Sequence, residues 1–451
     1  MTRWGCFQAL LFILPLPFGG AADWVWPWFA VTAMVLLALD LRERLLFQSV
    51  NHLPSLTLPV AFTRALPVLG LLAAVQVWVF FQWLWPTSVS VFETYQSLLK
   101  GIGLTSFFAL ALLNLDSRRR VTRAIWIVVL AAAFQAVFGA LMVLTGWELG
   151  FFIEKSAYRG LATGTYINRN HLAGYLEMAL ALGIGLLLAQ STQYRGSFRQ
   201  RLRQLVRMLL STKVVLRLLL AIMVIALVLT RSRMGNTAFF ASLMITGGLA
   251  LVLMRNKTLS TTILLSSLLV IDIAIVGTFF GVEKVAERLQ NTTSETESRD
   301  EVTRDTLQIA RDHLLTGIGA GTFIYSYPAY KSDDIKADRI YNNAHNDHAQ
   351  FMAEFGLPAF LLLALAVLIS AWWAIMAMVK RNSELFKGVG FGACMGIIAL
   401  LIHSAVDFNL QIPANAYMFV LLLALAAVAR WTPHKSEKAP KIRRSRSAHN
   451  G

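Results

Sequence analysis

The sequence predicts an all-α polytopic membrane protein: a helical bundle of about twelve transmembrane segments with one long loop between the ninth and tenth. Three observations predict it. Of 451 residues, 56% are hydrophobic and only 15% charged, with a mean hydropathy of +0.58. Apolar runs of about 20 residues, the length that spans a bilayer core, recur along the chain. The cations sit in short clusters between those runs. This composition excludes an average soluble domain, an intrinsically disordered chain and a disulfide scaffold.

The first apolar run, 4–21, follows a single basic residue and has the look of a signal peptide. A second run at 24–40 follows at once, so a retained helix is the better reading. Further spans are read at 64–85, 99–115, 124–146, 171–190, 215–230, 236–254, 258–281, 349–379, 388–408 and 415–431. Residues 1–431 then form one membrane domain with 282–348 inserted as the long loop, and 432–451 is a basic tail that reads as a disordered topology anchor. Cys6 and Cys394 both fall in apolar runs near opposite ends of the chain, so neither a disulfide nor a thiolate metal site is suggested.

Charge sets the orientation. The N-terminus, the even-numbered loops and the tail hold 27 of the 41 Lys and Arg with only five acids, a net +22, which leaves −6 for the rest. The positive-inside rule therefore predicts both termini cytoplasmic and the long loop on the opposite face. The basic pI reports this asymmetry and contact with membrane lipids rather than nucleic-acid binding.

Polar chemistry collects on the noncytoplasmic face. The long loop opens with VEKVAERLQ, suited to a short amphipathic helix, and DTLQIARDHLL is a second helical pattern. GIGAGTF (Gly317 to Phe323) lacks the Lys-Ser/Thr of a phosphate-binding loop and reads as a tight turn with close backbone approach. The aromatic patch Tyr325, Tyr327, Tyr330 reads as an interfacial belt, with a sugar-stacking platform as the alternative. At the entrance to the tenth span, His345, Asn346, Asp347, His348, Gln350 and Glu354 crowd together. Helix capping explains some of them, but two histidines and two acids at a membrane surface are what general-base chemistry requires. A metal is not expected, because no third and fourth ligand accompany His345 and His348.

Other spans bring cations to the same face. TYINRNH places Asn168, Arg169, Asn170 and His171 at the start of the sixth span, and LTRSRMGN places Arg231 and Arg233 in the turn between spans seven and eight. A hydrated turn is one reading; an anion site is the other, since guanidinium binds phosphate oxygens in forked geometry. His403 and Asp407, four apart, read as a helix-end pair, while Glu177 and Asp272 lie inside spans where either could hold an arginine.

Together, the Ser-Arg-Met-Gly turn, GIGAGTF and the closing AHNDHAQFMAEFGLPAF resemble the bacterial O-antigen ligase and O-antigen polymerase superfamily, over roughly residues 160–415. The resemblance implies an inner-membrane, metal-independent, inverting glycosyltransferase without a cofactor, whose active site faces the periplasm. Its donor would be a glycan on undecaprenyl diphosphate and its acceptor lipid A-core or a growing glycan. Carried over by motif, His345 matches the family's base, Arg233 the arginine of the short turn, Arg169 lies in the asparagine-rich segment, and Arg299 matches an arginine upstream of the glycine turn. Arg231 and Arg304 are nearby, and with Arg299, Asn168, Asn170 and Asn346 they complete the expected substrate-binding set. Asp347 or Glu354 is expected to orient the imidazole. Thr303 and Leu314 depart from the aromatic residue and proline of many relatives, and NRNH with DFNLQIPANA looks more like the exopolysaccharide polymerase branch.

Three rival classes stay open. A lipid-linked glycan transporter or flippase would place its polar residues near the midplane on broken helices, not at one surface. A noncatalytic assembly subunit would need none of the histidines and arginines. An intramembrane peptidase lacks a convincing serine–histidine or paired-aspartate arrangement here.

Overall fold

The computed structural model describes residues 2–51, 56–85, 88–150, 152–190, 212–254, 262, 266–267, 299–335 and 340–433. All but three residues of the expected ninth span, VEKVAERLQ, Asp272 and nearly all of the tail lie outside them. The described residues are helical almost throughout: α1 (Arg3–Ile13), α2 (Trp26–Val50), α3 (Leu66–Leu84), α4 (Val91–Asn114), α5 (Arg118–Thr145), α6 (Arg169–Ala189), α7 (Thr212–Leu229), α8 (Arg233–Leu253), α9 (Arg299–Asp312), α10 (Asp347–Lys380), α11 (Glu384–His403) and α12 (Pro413–Trp431). A two-stranded hairpin, Leu149–Gly150 with Ile153–Glu154, follows α5.

Eight of these helices (α3, α4, α5, α6, α8, α10, α11 and α12) are long and apolar enough to cross a membrane. The expected first span is not one helix. α1 stops at Ile13 after 11 residues, because Pro15 and Pro17 withhold the amides its next turn needs. Eleven residues rise only about 16 Å, half a bilayer core. The second expected span runs on to Val50, carrying Asp40, Arg42, Glu43 and Arg44 in its last half, where Arg44 bonds Asp40 at 2.9 Å.

α6 and α11 form the centre. Their contact is built on glycines: a Cβ on Gly185 would strike the Gly388 carbonyl, and one on Gly388 would strike that of Gly185. Lipid offers no hydrophobic gain for joining two apolar helices, so small residues that allow backbone contact drive the packing. α12 is buried nearly all round against them.

The helix ends sort into two faces. At one, Arg381 donates to the carbonyls of Arg430 (3.1 Å) and Thr432 (2.6 Å), satisfying the end of α12. The Arg118–Arg123, Lys380–Lys387 and Arg430 cations are on this face. At the other, the starts of α6, α8, α10 and α12 meet the ends of α5, α7 and α11: the Asp347 amide donates to the Ser404 carbonyl (2.9 Å) and the Ala162 amide to that of Leu229 (3.4 Å).

On this second face the loop ahead of α10 threads into the bundle. α10 breaks at Gly356 (φ 76°, ψ 164°), and the residues around the break receive outside donors. The Ile318 and Gly319 amides bond the carbonyls of Ala353 (3.0 Å) and Glu354 (3.1 Å), and the Leu357 amide bonds Leu314 (2.7 Å). From α3, Gln82 reaches Thr316 and Glu354, and the Trp78 indole reaches Phe355 at 2.7 Å. Irregular backbone at this depth is stable because these donors replace the missing helical ones. Gly317 (φ 66°) has no room for a Cβ, which would strike the Glu354 carbonyl oxygen, as close backbone approach requires.

Above this clamp, α9 forms where the DTLQIARDHLL pattern is read, beginning six residues before it, and packs Val302 and Ile309 on Phe323, Tyr327 and Ala353. The aromatic patch is not a belt. Tyr327 is buried and stacks on Phe323 at 5.1 Å, and only Tyr325 projects. Tyr327 is drawn inward by Asp305, whose carboxylate also accepts from Ser332.

Candidate functional site

Three helix starts carry the candidate residues, each with its own side-chain cap. Asn168 Oδ1 accepts from the Asn170 amide (2.9 Å), Ser232 Oγ from Gly235 (3.2 Å) and Asn346 Oδ1 from Ala349 (3.0 Å). Two of the expected substrate-binding asparagines, Asn168 and Asn346, thus have a capping role. The caps fix where Arg169, Arg233 and Asp347, each the first residue of its helix, leave the backbone.

Asp407 joins these starts. It lies just past the end of α11 and is 1% exposed. Its Oδ2 accepts from Asn170 Nδ2 at 2.7 Å and faces Arg299 Nη1 at 3.7 Å, while its Oδ1 accepts from the Phe408 amide at 2.8 Å and faces His171 Nε2 at 3.7 Å. Burial alone would raise this carboxyl, but His171, His403 and Arg299 hold it well below the usual carboxylate range. Arg299 also donates to the Val406 carbonyl at 3.1 Å.

The next residue links the two histidines. Phe408 meets the His171 ring edge-to-face at 4.6 Å and the His345 ring at 4.9 Å. His345 is half-buried and held in the left-handed region (φ 51°). Gln350 maintains the bend ahead of it, accepting from the Ala344 amide (2.9 Å) and donating to Asn343 (3.2 Å). Among the described non-glycine residues, five have positive φ, and three of them belong to this face's candidates: Tyr158, Arg231 and His345. Such backbone costs roughly 1 kcal/mol or more each and persists where surrounding structure enforces it.

The guanidinium groups fall into two kinds. Arg231 and Arg233 are exposed and make no hydrogen bond or ion pair among the described residues. Arg169 lies over the Tyr158 ring at 5.8 Å, and its buried Nε has no acceptor there. Arg299 is anchored on the Asp407 turn. Arg304 is engaged away from these groups, with Asp334 (3.0 Å), Ser332 (2.7 Å) and Asp305 (3.3 Å). Five residues at 100° each turn Arg304 about 140° from Arg299, so one helix cannot present both to one ligand.

The two acids that follow His345 in sequence have other described partners. Asp347, wholly buried, accepts from Ser404 Oγ (2.7 Å) and the Leu410 amide (2.8 Å), and so fastens the turn carrying Asp407 and Phe408. Glu354 accepts from Gln350 (3.1 Å) and the Phe323 amide (3.3 Å), closing the glycine clamp. His348 faces the Leu401 carbonyl at 3.1 Å. The expected His403–Asp407 pair does not form as a helix-face pair, because α11 ends at His403. His403 Nδ1 instead meets Glu177 Oε1 at 3.2 Å, so Glu177 holds a histidine rather than an arginine.

Sequence reasoning missed Asp407 as the centre of the face, and with it Phe408 and Tyr158. The available signal was an acid one turn beyond a span end, followed by an aromatic residue.

No curated protein matches the chain. Residues 218–364, which carry the arginine turn, the glycine clamp and His345, match the family model described as O-antigen ligase, and this segment belongs with the O-antigen ligase and polymerase superfamily.

Proposed function

We propose that this protein moves a glycan from undecaprenyl diphosphate to an acceptor hydroxyl at the periplasmic face of a bacterial inner membrane, without a metal and with inversion. The observation that carries the reading is the coexistence, on the face opposite the cation clusters, of His345 with three guanidinium groups, Arg169, Arg231 and Arg233, that lack carboxylate partners among the described residues. Cations this poor in partners suit a dianionic ligand.

In the proposed step the acceptor oxygen attacks the anomeric carbon from the side opposite the phosphate. His345 takes the hydroxyl proton, the carbon–oxygen bond to phosphate breaks, and undecaprenyl diphosphate departs with the electron pair. Arg233, Arg169 and Arg231 stabilise the charge that grows on the diphosphate. Arg299, Asn170 and Asp407 hold the surrounding turn, and Phe408 sets the His345 ring. The positive-inside pattern supports cytoplasmic termini and a periplasmic site.

The test is reconstitution in lipid nanodiscs with a defined undecaprenyl-diphosphate oligosaccharide, with and without lipid A-core, followed by mass spectrometry. Transfer to lipid A-core identifies a ligase. A ladder of lengthened lipid-linked glycan without that acceptor identifies a polymerase. Movement of unaltered donor across the bilayer, with no covalent product, overturns the reading in favour of transport.

A further inference from the structure

The Glu177–His403 pair has no part in the step above, yet it occupies the middle of the bundle. Both side chains are 0% exposed, and neither Glu177 Oε2 nor His403 Nε2 has a hydrogen-bond partner among the described residues. Apolar residues of similar volume would fill such a place at lower cost, so packing alone does not account for the pair.

Its surroundings point to a role. The His403 ring abuts the first turn of α8 at Gly235, where an added Cβ would stand 3.2 Å from His403 Cε1, 3.1 Å from Ser232 Oγ and 2.5 Å from the Ala173 Cβ of α6. Three helices meet at this point. Arg233 lies two residues from Gly235 and Arg169 four from Ala173, each within about one helical turn, and Asp407 lies in the turn that follows the end of α11 at His403. A small rotation here is carried directly to all three.

We propose that Glu177 and His403 are a positioning pair that locks the α6–α8–α11 junction and so sets where Arg233 and Arg169 stand relative to the Asp407 turn. This rests on the donor reading above only for its kinetic consequence. The bond ties α6 to α11, and Gly235 lets α8 seat against both. An error of about 1 Å in such a constellation is enough to cost a hundredfold in rate.

The test uses the full chain in nanodiscs, with Cys6 and Cys394 replaced by alanine and spin labels at the exposed positions Ile167 and Thr237. His403→Gln, Glu177→Gln and Gly235→Ala are each expected to shift or broaden the label–label distance distribution and to lower kcat/KM for the donor about tenfold or more, leaving the acceptor KM unchanged. Gly235→Ala combined with Ala173→Gly, which removes the methyl group in the way, is expected to restore both. Should a glutamine variant fail to fold, the glycine swap still decides. Wild-type distances in Gly235→Ala and in every folded glutamine variant would overturn the proposal. Absence of donor turnover in the wild type would overturn the donor reading instead, while the distances still judge the junction.

Discussion

Replacing Asp407 by asparagine tests the organisation of the face most directly. The amide keeps the shape and can still accept from the Phe408 amide, and Asn170 can flip its own amide to recover its bond. What disappears is the charge facing Arg299 at 3.7 Å. At an effective dielectric of about 20 that interaction is roughly 4 kcal/mol, and solvent screening at the partly exposed Arg299 reduces the net to about 2 kcal/mol. Glycan transfer in the reconstituted assay should fall about 30-fold, if the loss is felt in the reacting complex. Asp407→Ala removes both hydrogen bonds as well, at about 1 kcal/mol each, and should fall at least tenfold further. Circular dichroism confirms that the helices remain. Full transfer by Asp407→Asn with less than a twofold loss for Asp407→Ala would refute the view that this carboxylate organises the site.

Further expectations concern separate features. His345→Ala should abolish transfer while membrane insertion and melting temperature stay near wild type, and retained transfer removes His345 as the base. Arg231→Ala and Arg233→Ala should each lower kcat/KM for the donor about tenfold, as loss of a charged hydrogen bond implies, yet change stability by less than about 0.5 kcal/mol because both are exposed; thermal melting in detergent checks the second half. Gly317→Ala places a side chain at φ 66° against the Glu354 carbonyl. The left-handed backbone and weakening of two clamp hydrogen bonds should together destabilise by about 3 kcal/mol, seen as a lower melting temperature. The Asp407 carboxyl is depressed, so its contribution is present above the unfolded value near 4 and is lost only as pH falls through the lower folded value. The activity ratio of wild type to Asp407→Asn should accordingly stay flat between about pH 5 and 8.

Much of the fold was legible because hydropathy is additive along a chain. The runs around 64–85, 171–190 and 415–431 became helices within a few residues of their expected ends. The first run failed for a local reason also written in the sequence: two prolines that an averaging window passes over. The His403–Asp407 spacing misled because the i,i+4 rule holds only while the helix continues, and α11 stops at His403. Arg299 and Arg304 were both expected to bind substrate, but helical geometry points them apart.

By itself, then, the sequence determined that this is a helical membrane protein, which face carries its cations, and which motifs supply histidine and arginine. Those properties are local: each depends on a residue and its near neighbours in a bilayer. Only the tertiary structure decided that Asn170, His171 and Arg299 meet at Asp407, that Phe408 lies between His171 and His345, and that Glu177 belongs to His403. These pairings join residues up to 237 positions apart. They depend on how glycine-lined helices settle against one another at backbone contact, which no single segment records.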